Sequence, residues 1–254
     1  SIKARAYGTG TVVIRKSHHI GCLASYLEVP ARAGLLVEIS CVDPSVIAVP
    51  AHGGLNPIFS PNPIGVGIPT RGDPIMVDLS ASTTAMGTAA LFRQRGELLP
   101  GPWLQDPVGN PTNDPNILTG DNPGTILPTG GIDHGHKGYA LALILETFAQ
   151  GLSGLGRIDN VTAWGAATLV RVTDPEFFCG IDEFQRQSQY IVELCQNSAP
   201  RNPNFPVRLP GQSGLARKRI NSERGGPLSE SIVSQLKEWS DKLNIKFPEP
   251  RGTG

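Results

Sequence analysis

Two short stretches of this sequence concentrate side chains able to move protons or hold metals. Ser17-His18-His19 follows a β-branched run, and Asp133-His134-Gly135-His136-Lys137 precedes an apolar one. The second could in principle put two imidazoles and a carboxylate on one divalent ion. Histidines two residues apart on a loop lack the i, i+4 spacing of strong zinc motifs, so no metal is expected and these read as polar residues leading into a helix. Cys22, Cys41, Cys179 and Cys195 show no CxxC spacing and sit in or beside apolar runs, as reduced thiols of a cytoplasmic protein would. Familiar nucleotide and nucleophile motifs do not occur. Gly65-Val66-Gly67 runs into Ile68-Pro69 without the third glycine of a Rossmann turn, no G-x-x-x-x-G-K-[ST] loop is present, and residues 151–154 and 211–214 fail the G-x-S-x-G elbow at its last position.

The elements that must carry these residues can be read from periodicity. Runs at 11–15, 35–41, 65–69, 75–79 and 161–172 are strand-like. Helices are expected over 22–34, 83–97 and 181–196, the last lined on one face by Phe184, Ile191, Leu194 and Cys195. A final helix, N-capped by Ser229, puts Ile232, Leu236, Trp239 and Leu243 on one stripe. Residues 138–151 are apolar on almost every face and are expected to form a helix in the middle of the structure. Residues 99–131 hold too many Pro, Gly and Asn for long regular elements and read as an extended ordered loop. Residues 1–8 look like the closing turns of a helix stopped by Gly8 or Gly10, an opening that suggests a chain lacking its upstream part. With no repeat or linker in sight, the expectation is one mixed α/β domain over 1–246 and a flexible tail over 247–254.

Composition narrows the partners. Of 254 residues, 39% are hydrophobic and 17% charged, enough for a packed core, and 22 Lys+Arg balance 22 Asp+Glu. A net charge of zero gives no footing for a nucleic-acid backbone or an anionic membrane surface, and the longest apolar run is too short to span a bilayer. A small molecule is the expected partner.

Four segments then carry a joint pattern. They are residues 12–21 (VVIRKSHHIG), a strand into an H-x-G turn; residues 62–69 (NPIGVGIP); residues 77–82 (VDLSAS); and residues 136–141 (HKGYAL). Lesser matches lie at Gly109-Asn110-Pro111-Thr112-Asn113-Asp114-Pro115 and Leu209-Pro210-Gly211-Gln212. Each alone is weak. In this order and spacing, over nearly the whole chain, they resemble the malate/L-lactate dehydrogenase-like family of oxidoreductases. That resemblance implies a mixed sheet flanked by helices without a Rossmann unit, and a homodimer with its active site near the subunit interface. It also implies NAD or NADP as cofactor, with hydride transfer to or from a small 2-hydroxy or 2-keto acid.

The resemblance also assigns roles. His19 aligns with a proton acceptor of some members, a task that suits imidazole near neutral pH; the alternative is a histidine that only caps or hydrogen-bonds its loop. His18 points the other way if the segment is extended. Lys137 matches a lysine at the cofactor and could also act on the substrate, with His136 beside it; a cation at a helix start is disfavoured by the dipole unless an anion is near. Asp78, Leu79 and Ser80 match a cofactor-binding turn, or form an ordinary strand ending. Val42 stands where some relatives place a cofactor-touching serine, so its backbone alone is left for that contact. Gly211 and Gln212 match another cofactor turn, and Asn62 orients either a loop or a substrate carbonyl. The family's N-terminal S-H-G is absent from these residues, which fits a missing front segment. A family-derived scaffold that binds, or that catalyses a different reaction, is the competing expectation.

Overall fold

The structure, a computed structural model, describes residues 1–248, so the tail expected over 247–254 lies almost wholly outside the described residues. The chain divides into two compact units, Ser1–Gly211 and Gln212–Gly254.

The first unit contains α1 (Ile2–Tyr7), β1 (Thr9–Ser17), α2 (Glu28–Arg32), β2 (Leu36–Val42), β3 (Val49–Pro50), β4 (Pro57–Phe59), β5 (Pro63–Ile68) and β6 (Ile75–Ser80). It continues with α3 (Met86–Arg95), β7 (Leu104–Gln105), β8 (Pro111–Thr112), β9 (Thr125–Ile126), α4 (Gly131–His134), α5 (His136–Glu146), β10 (Ala166–Thr173) and α6 (Ile181–Gln196). Its main sheet has the order β1-β10-β2-β5-β6, and every pairing is antiparallel. The expected α/β class with flanking helices is what the chain builds; the sheet's pairings are uniform rather than mixed.

The central strand β2 buries both faces, as the pattern LVEISCV requires of a strand covered on two sides. On one side lies the segment 23–32. A Cβ at Gly65 would fall 2.9 Å from Leu23 Cβ, and one at Gly67 would fall 3.0 Å from Leu27 Cβ, so the paired glycines let this helical segment rest directly on β5. The other side carries the main core, where Val42, Ala81, Leu104, Ile126, Ala142, Leu145, Ala149 and Ala167 pack together.

Several expectations change in detail. The helix over 22–34 is two pieces, a 3-10 turn (Leu23–Tyr26) and α2, broken at Leu27. Breaking there puts Pro30 in the first turn of a new helix, where its missing N–H costs nothing. The helix over 83–97 begins only at Met86, because Ser82 and Thr83 spend their hydroxyls on loop carbonyls. The long loop over 99–131 contains a small sheet of order β8-β7-β9. Helix α5 is less central than its apolar sequence implied. Its buried face is Gly138, Ala142 and Leu145, and Leu143 and Ile144 remain 44% and 50% exposed, as does Phe148 of the π-helical turn that follows, at 42%.

The second unit holds α7 (Gln212–Arg224), which sequence patterning missed, and α8 (Glu230–Lys242). Ser229 occupies the N-cap of α8 without donating or accepting a capping bond, and Ile232, Leu236, Trp239 and Leu243 are exposed. Among the described residues no helix is long and apolar enough to cross a membrane.

Candidate active site

Three of the singled-out segments contact the edge strand β6, two in its C-terminal half and one at Met76 near its start. The first is the turn after β1. The Ser17 hydroxyl donates to Ala166 O at 3.1 Å, anchoring the strand end, and the chain then turns through His18 and His19 into Gly21 with φ 73°. The Gly21 N–H donates to His19 Nδ1 at 3.1 Å, and the ring meets Trp164 edge to face at 5.5 Å. Neutral His19 therefore carries its proton on Nε2, the nitrogen its turn leaves open. In this arrangement Nε2 faces outward as a donor, and it becomes a base only in the other tautomer, which gives up the Gly21 bond.

Asp78 ties this turn to β6. Its Oδ2 accepts from Ala24 N–H at 2.9 Å and from the Cys22 thiol at 3.1 Å, which caps the 3-10 turn directly after His19. The same hydrogen bond pushes the Cys22 thiol above its ordinary pKa, with desolvation adding to the effect. Asp78 thus positions the His19 turn as well as bordering the strand end. Leu79 beside it is 43% exposed.

The second junction joins β6 to the helix carrying Lys137. Thr129 Oγ1 donates to Ser80 O at 2.9 Å, Thr129 N–H to Ala81 O at 2.8 Å, and Gly138 N–H to Thr129 O at 3.0 Å. Contact is so close that a Cβ on Gly138 would lie 2.3 Å from Thr129 N. Helix α4 runs into α5 through Gly135, and His136 and Lys137 open α5 in exposed positions. The Ser80 hydroxyl is engaged with Ser82 O at 3.0 Å.

The third contact covers the outer edge of β6. Met76 N–H donates to Pro210 O at 3.0 Å, and Gly211 adopts φ 88° with its Cα pressed on Met76. Any side chain at Gly211 would meet Met76 Cβ at 2.7 Å. Gln212 is the first residue of α7.

Two candidates lie inside instead. Val42 is 1% exposed and packs in the main core. Asn62 is fully buried with φ 47°; its Nδ2 donates to Glu146 Oε1 at 3.0 Å, and its Oδ1 accepts from the Ser60 hydroxyl. Glu146 in turn pairs with Arg157 at 2.7 Å, and Arg157 also donates to Val46 O at 2.9 Å. Asn62 therefore orients the loop entering β5, with its amide committed within the protein.

Sequence reasoning passed over His52. Its ring meets that of His136 at 5.7 Å, and His136 meets His134 at 6.1 Å, all edge to face. Nothing in the spacing of the Ala51-His52-Gly53 turn announced this, because the contact depends on how β3 and the α4–α5 junction pack. Among the described residues no group of three His, Cys, Asp or Glu side chains is arranged to hold a metal ion.

Comparison with known proteins agrees with this architecture. A (2R)-3-sulfolactate dehydrogenase (NADP(+)) of Chromohalobacter salexigens is 38% identical over 93% of this chain and 68% of its own length. The crystal structure of Δ1-piperideine-2-carboxylate reductase from Pseudomonas syringae superposes with a TM-score of 0.76 at 31% identity, covering 93% of this chain and 70% of that one. Malate dehydrogenase from Entamoeba histolytica shares the fold with a TM-score of 0.88 at 23% identity, over 98% and 72% of the two chains. The family described as malate/L-lactate dehydrogenase matches residues 2–237, and the chain belongs to it.

Proposed function

We propose that this protein is an oxidoreductase that moves a hydride between NAD or NADP and the C2 carbon of a small 2-hydroxy or 2-keto acid. The observation that carries this reading is the convergence at β6: one strand end fixes both the His19 turn, through Asp78, and the Lys137 helix, through Ser80, Ala81 and Thr129. Family membership and the relatives' names support the reaction class.

The donor set fits a nicotinamide cofactor. Lys137 is an exposed cation at a helix start, where the dipole disfavours it unless an anionic group is close, and a pyrophosphate or a substrate carboxylate meets that need. The backbone of 78–80, at the end of β6, would hold ribose or amide groups, and Gly211, packed against Met76 at the strand's other end, would make a further cofactor contact, with Gln212 adjoining in sequence. Bound nicotinamide supplies the hydride acceptor or donor. His19 takes the hydroxyl proton at Nε2 as the C–H hydride departs from C2, in the tautomer that carries its own proton on Nδ1 and so releases the Gly21 N–H contact, and returns it to the oxygen in the reverse direction. Lys137 holds the anionic end that orients the reacting carbon, and Asp78 keeps the His19 turn in place.

The reading extends to a homodimer, whose second copy would cover the exposed Leu143 and Ile144 of α5 and Phe148 just beyond it, and to a cytoplasmic location, which the four free thiols favour. The test is turnover of lactate, malate and 3-sulfolactate, and of their keto acids, followed by nicotinamide absorbance with each cofactor. Saturable turnover with at least one acid is expected. Absence of turnover across the panel with both cofactors overturns the proposal.

A further inference from the structure

Two contacts hold the His19 ring, and one of them cannot survive proton transfer. The Gly21 N–H donates to Nδ1 at 3.1 Å, and Trp164 meets the ring edge to face, with centroids 5.5 Å apart and planes at 86°. The Gly21 bond requires a lone pair on Nδ1. A ring that accepts a proton needs its lone pair on Nε2, which moves its own proton to Nδ1, and the imidazolium formed next carries protons on both nitrogens. In both of these forms the Gly21 N–H faces another N–H and the bond is lost. The Trp164 contact requires no lone pair on the imidazole, so it is available to the resting tautomer, the base tautomer and the imidazolium alike.

Strand register puts Trp164 there. β1 and β10 run antiparallel, and after the irregularity between Ile14 and Ser17 their last partners are Ser17 and Ala166. Lys16, at φ 56°, lies in that irregularity, where β1 carries one extra residue. Two residues beyond a partnered pair, antiparallel chains bring the next two side chains opposite each other on the same face. Beyond Ser17 and Ala166 those residues are His19 and Trp164. The ladder has ended, yet the Ser17 hydroxyl still ties the two chain ends together through Ala166 O at 3.1 Å. The segment before β10 is folded closely on itself, since a Cβ on Gly165 would lie 2.6 Å from Val161 Cγ1. Trp103 packs against the main core, whereas Trp164 lies outside it and is 51% exposed, so the ring that Trp164 touches is that of His19.

We infer that Trp164 is a positioning residue for proton transfer at His19: it keeps the imidazole aimed at the substrate oxygen once the Gly21 bond has been given up. The inference rests on the dehydrogenase reading above and adds to it a residue that none of the sequence motifs marks. Without the indole, the base tautomer and the imidazolium would turn freely about χ1 and χ2, and fewer rings would point Nε2 at the hydroxyl. The ring's aim matters after substrate has bound, so the loss falls on kcat rather than on KM.

NMR relaxation of the whole chain, labelled in its histidine rings, tests this directly, because the His19 resonances report both the charge and the order of the ring. In wild type the ring should be ordered as neutral imidazole and as imidazolium. In Trp164→Ala it should stay ordered while neutral, held by Gly21, and become mobile as imidazolium. Trp164→Phe should restore the order. In turnover Trp164→Ala should lower kcat about 3- to 10-fold, the equivalent of one aromatic pair, at unchanged KM, and Trp164→Phe should recover most of the loss. A wild-type imidazolium ring that is already mobile would overturn the inference. So would a Trp164→Ala ring that stays ordered as imidazolium or loses order equally in both forms, or an equal kcat loss in Trp164→Phe and Trp164→Ala. The wild-type measurement needs no variant, so a misfolded Trp164→Ala leaves the test intact. Ring order also needs no turnover: a failure of the dehydrogenase reading shows as wild-type protein without activity, and a failure of the inference shows in the ring.

Discussion

One methyl group added at position 138 should loosen the joint between the Lys137 helix and β6. In Gly138→Ala the new Cβ would sit 2.3 Å from Thr129 N, 2.6 Å from Ala81 O and 2.7 Å from Thr129 O, all backbone atoms with no side-chain freedom to yield. The 129 segment must retreat by roughly 1 Å in a region packed at crystal-like density. Such overpacking costs about 1–3 kcal/mol. The retreat also breaks the Gly138 N–H to Thr129 O and Thr129 N–H to Ala81 O bonds, at about 1 kcal/mol each. Alanine returns about 1 kcal/mol in helix propensity, leaving a net loss of about 2–4 kcal/mol. Urea unfolding followed by tryptophan fluorescence reads this as a lower midpoint at unchanged slope. Gly87→Ala is the internal control: Gly87 is also helical, a Cβ there meets nothing within 4 Å, and a gain of about 0.5–1 kcal/mol is expected. If Gly138→Ala is as stable as wild type, or Gly87→Ala loses as much, the close approach at Thr129 is not what fixes this helix.

His19→Asn should keep the fold, since an exposed ring is removed, and lower kcat by about 10²- to 10⁴-fold with little change in KM; an unchanged kcat would remove His19 from proton transfer. Asp78→Ala should make Cys22 more reactive. The carboxylate accepts the thiol proton and repels the thiolate, so it raises the thiol pKa, and its loss increases the thiolate present at pH 8. Iodoacetamide labelling of Cys22, read by peptide mass spectrometry, should accelerate about 3- to 10-fold. Buried Cys41, whose pKa is raised by desolvation, should label slowly in both proteins. Equal Cys22 rates would contradict the Asp78 contact.

How much of this was legible depended on the kind of signal each segment carried. Helix α6 could be read to the residue, because Gly180 precedes it, Asp182 and Glu183 fill its first turn, and its apolar positions recur at helical spacing. The main-sheet strands could be placed because their β-branched runs end in turns. Strands β7, β8 and β9 could not, since two residues have no period to detect. Helix α7 escaped because Leu215 is its one buried residue and most of its sequence is polar. The exposure of Leu143 and Ile144 was invisible for the opposite reason, an apolar surface all round that did not say which side faces the sheet.

At the site, motif types gave the chain segments and the fold supplied their relations. That Asp78 caps the turn after His19 follows from β6 lying beside residues 22–26, and that His52 meets His136 follows from the α4–α5 junction. Neither is encoded in local spacing. Asn62 shows the converse: a residue in a family-like motif proves to be internal, holding Glu146 and through it Arg157.

The central claim is that the end of β6 and the Lys137 helix form a nicotinamide site. Fluorescence titration of NADH and NADPH into the wild-type protein and Lys137→Gln tests it most directly. Saturable binding of at least one nucleotide is expected, weakened about 10-fold or more in Lys137→Gln with the unfolding midpoint unchanged, since Lys137 is exposed. Wild-type protein that binds neither nucleotide, or a Lys137→Gln variant that binds as tightly as wild type, would contradict it.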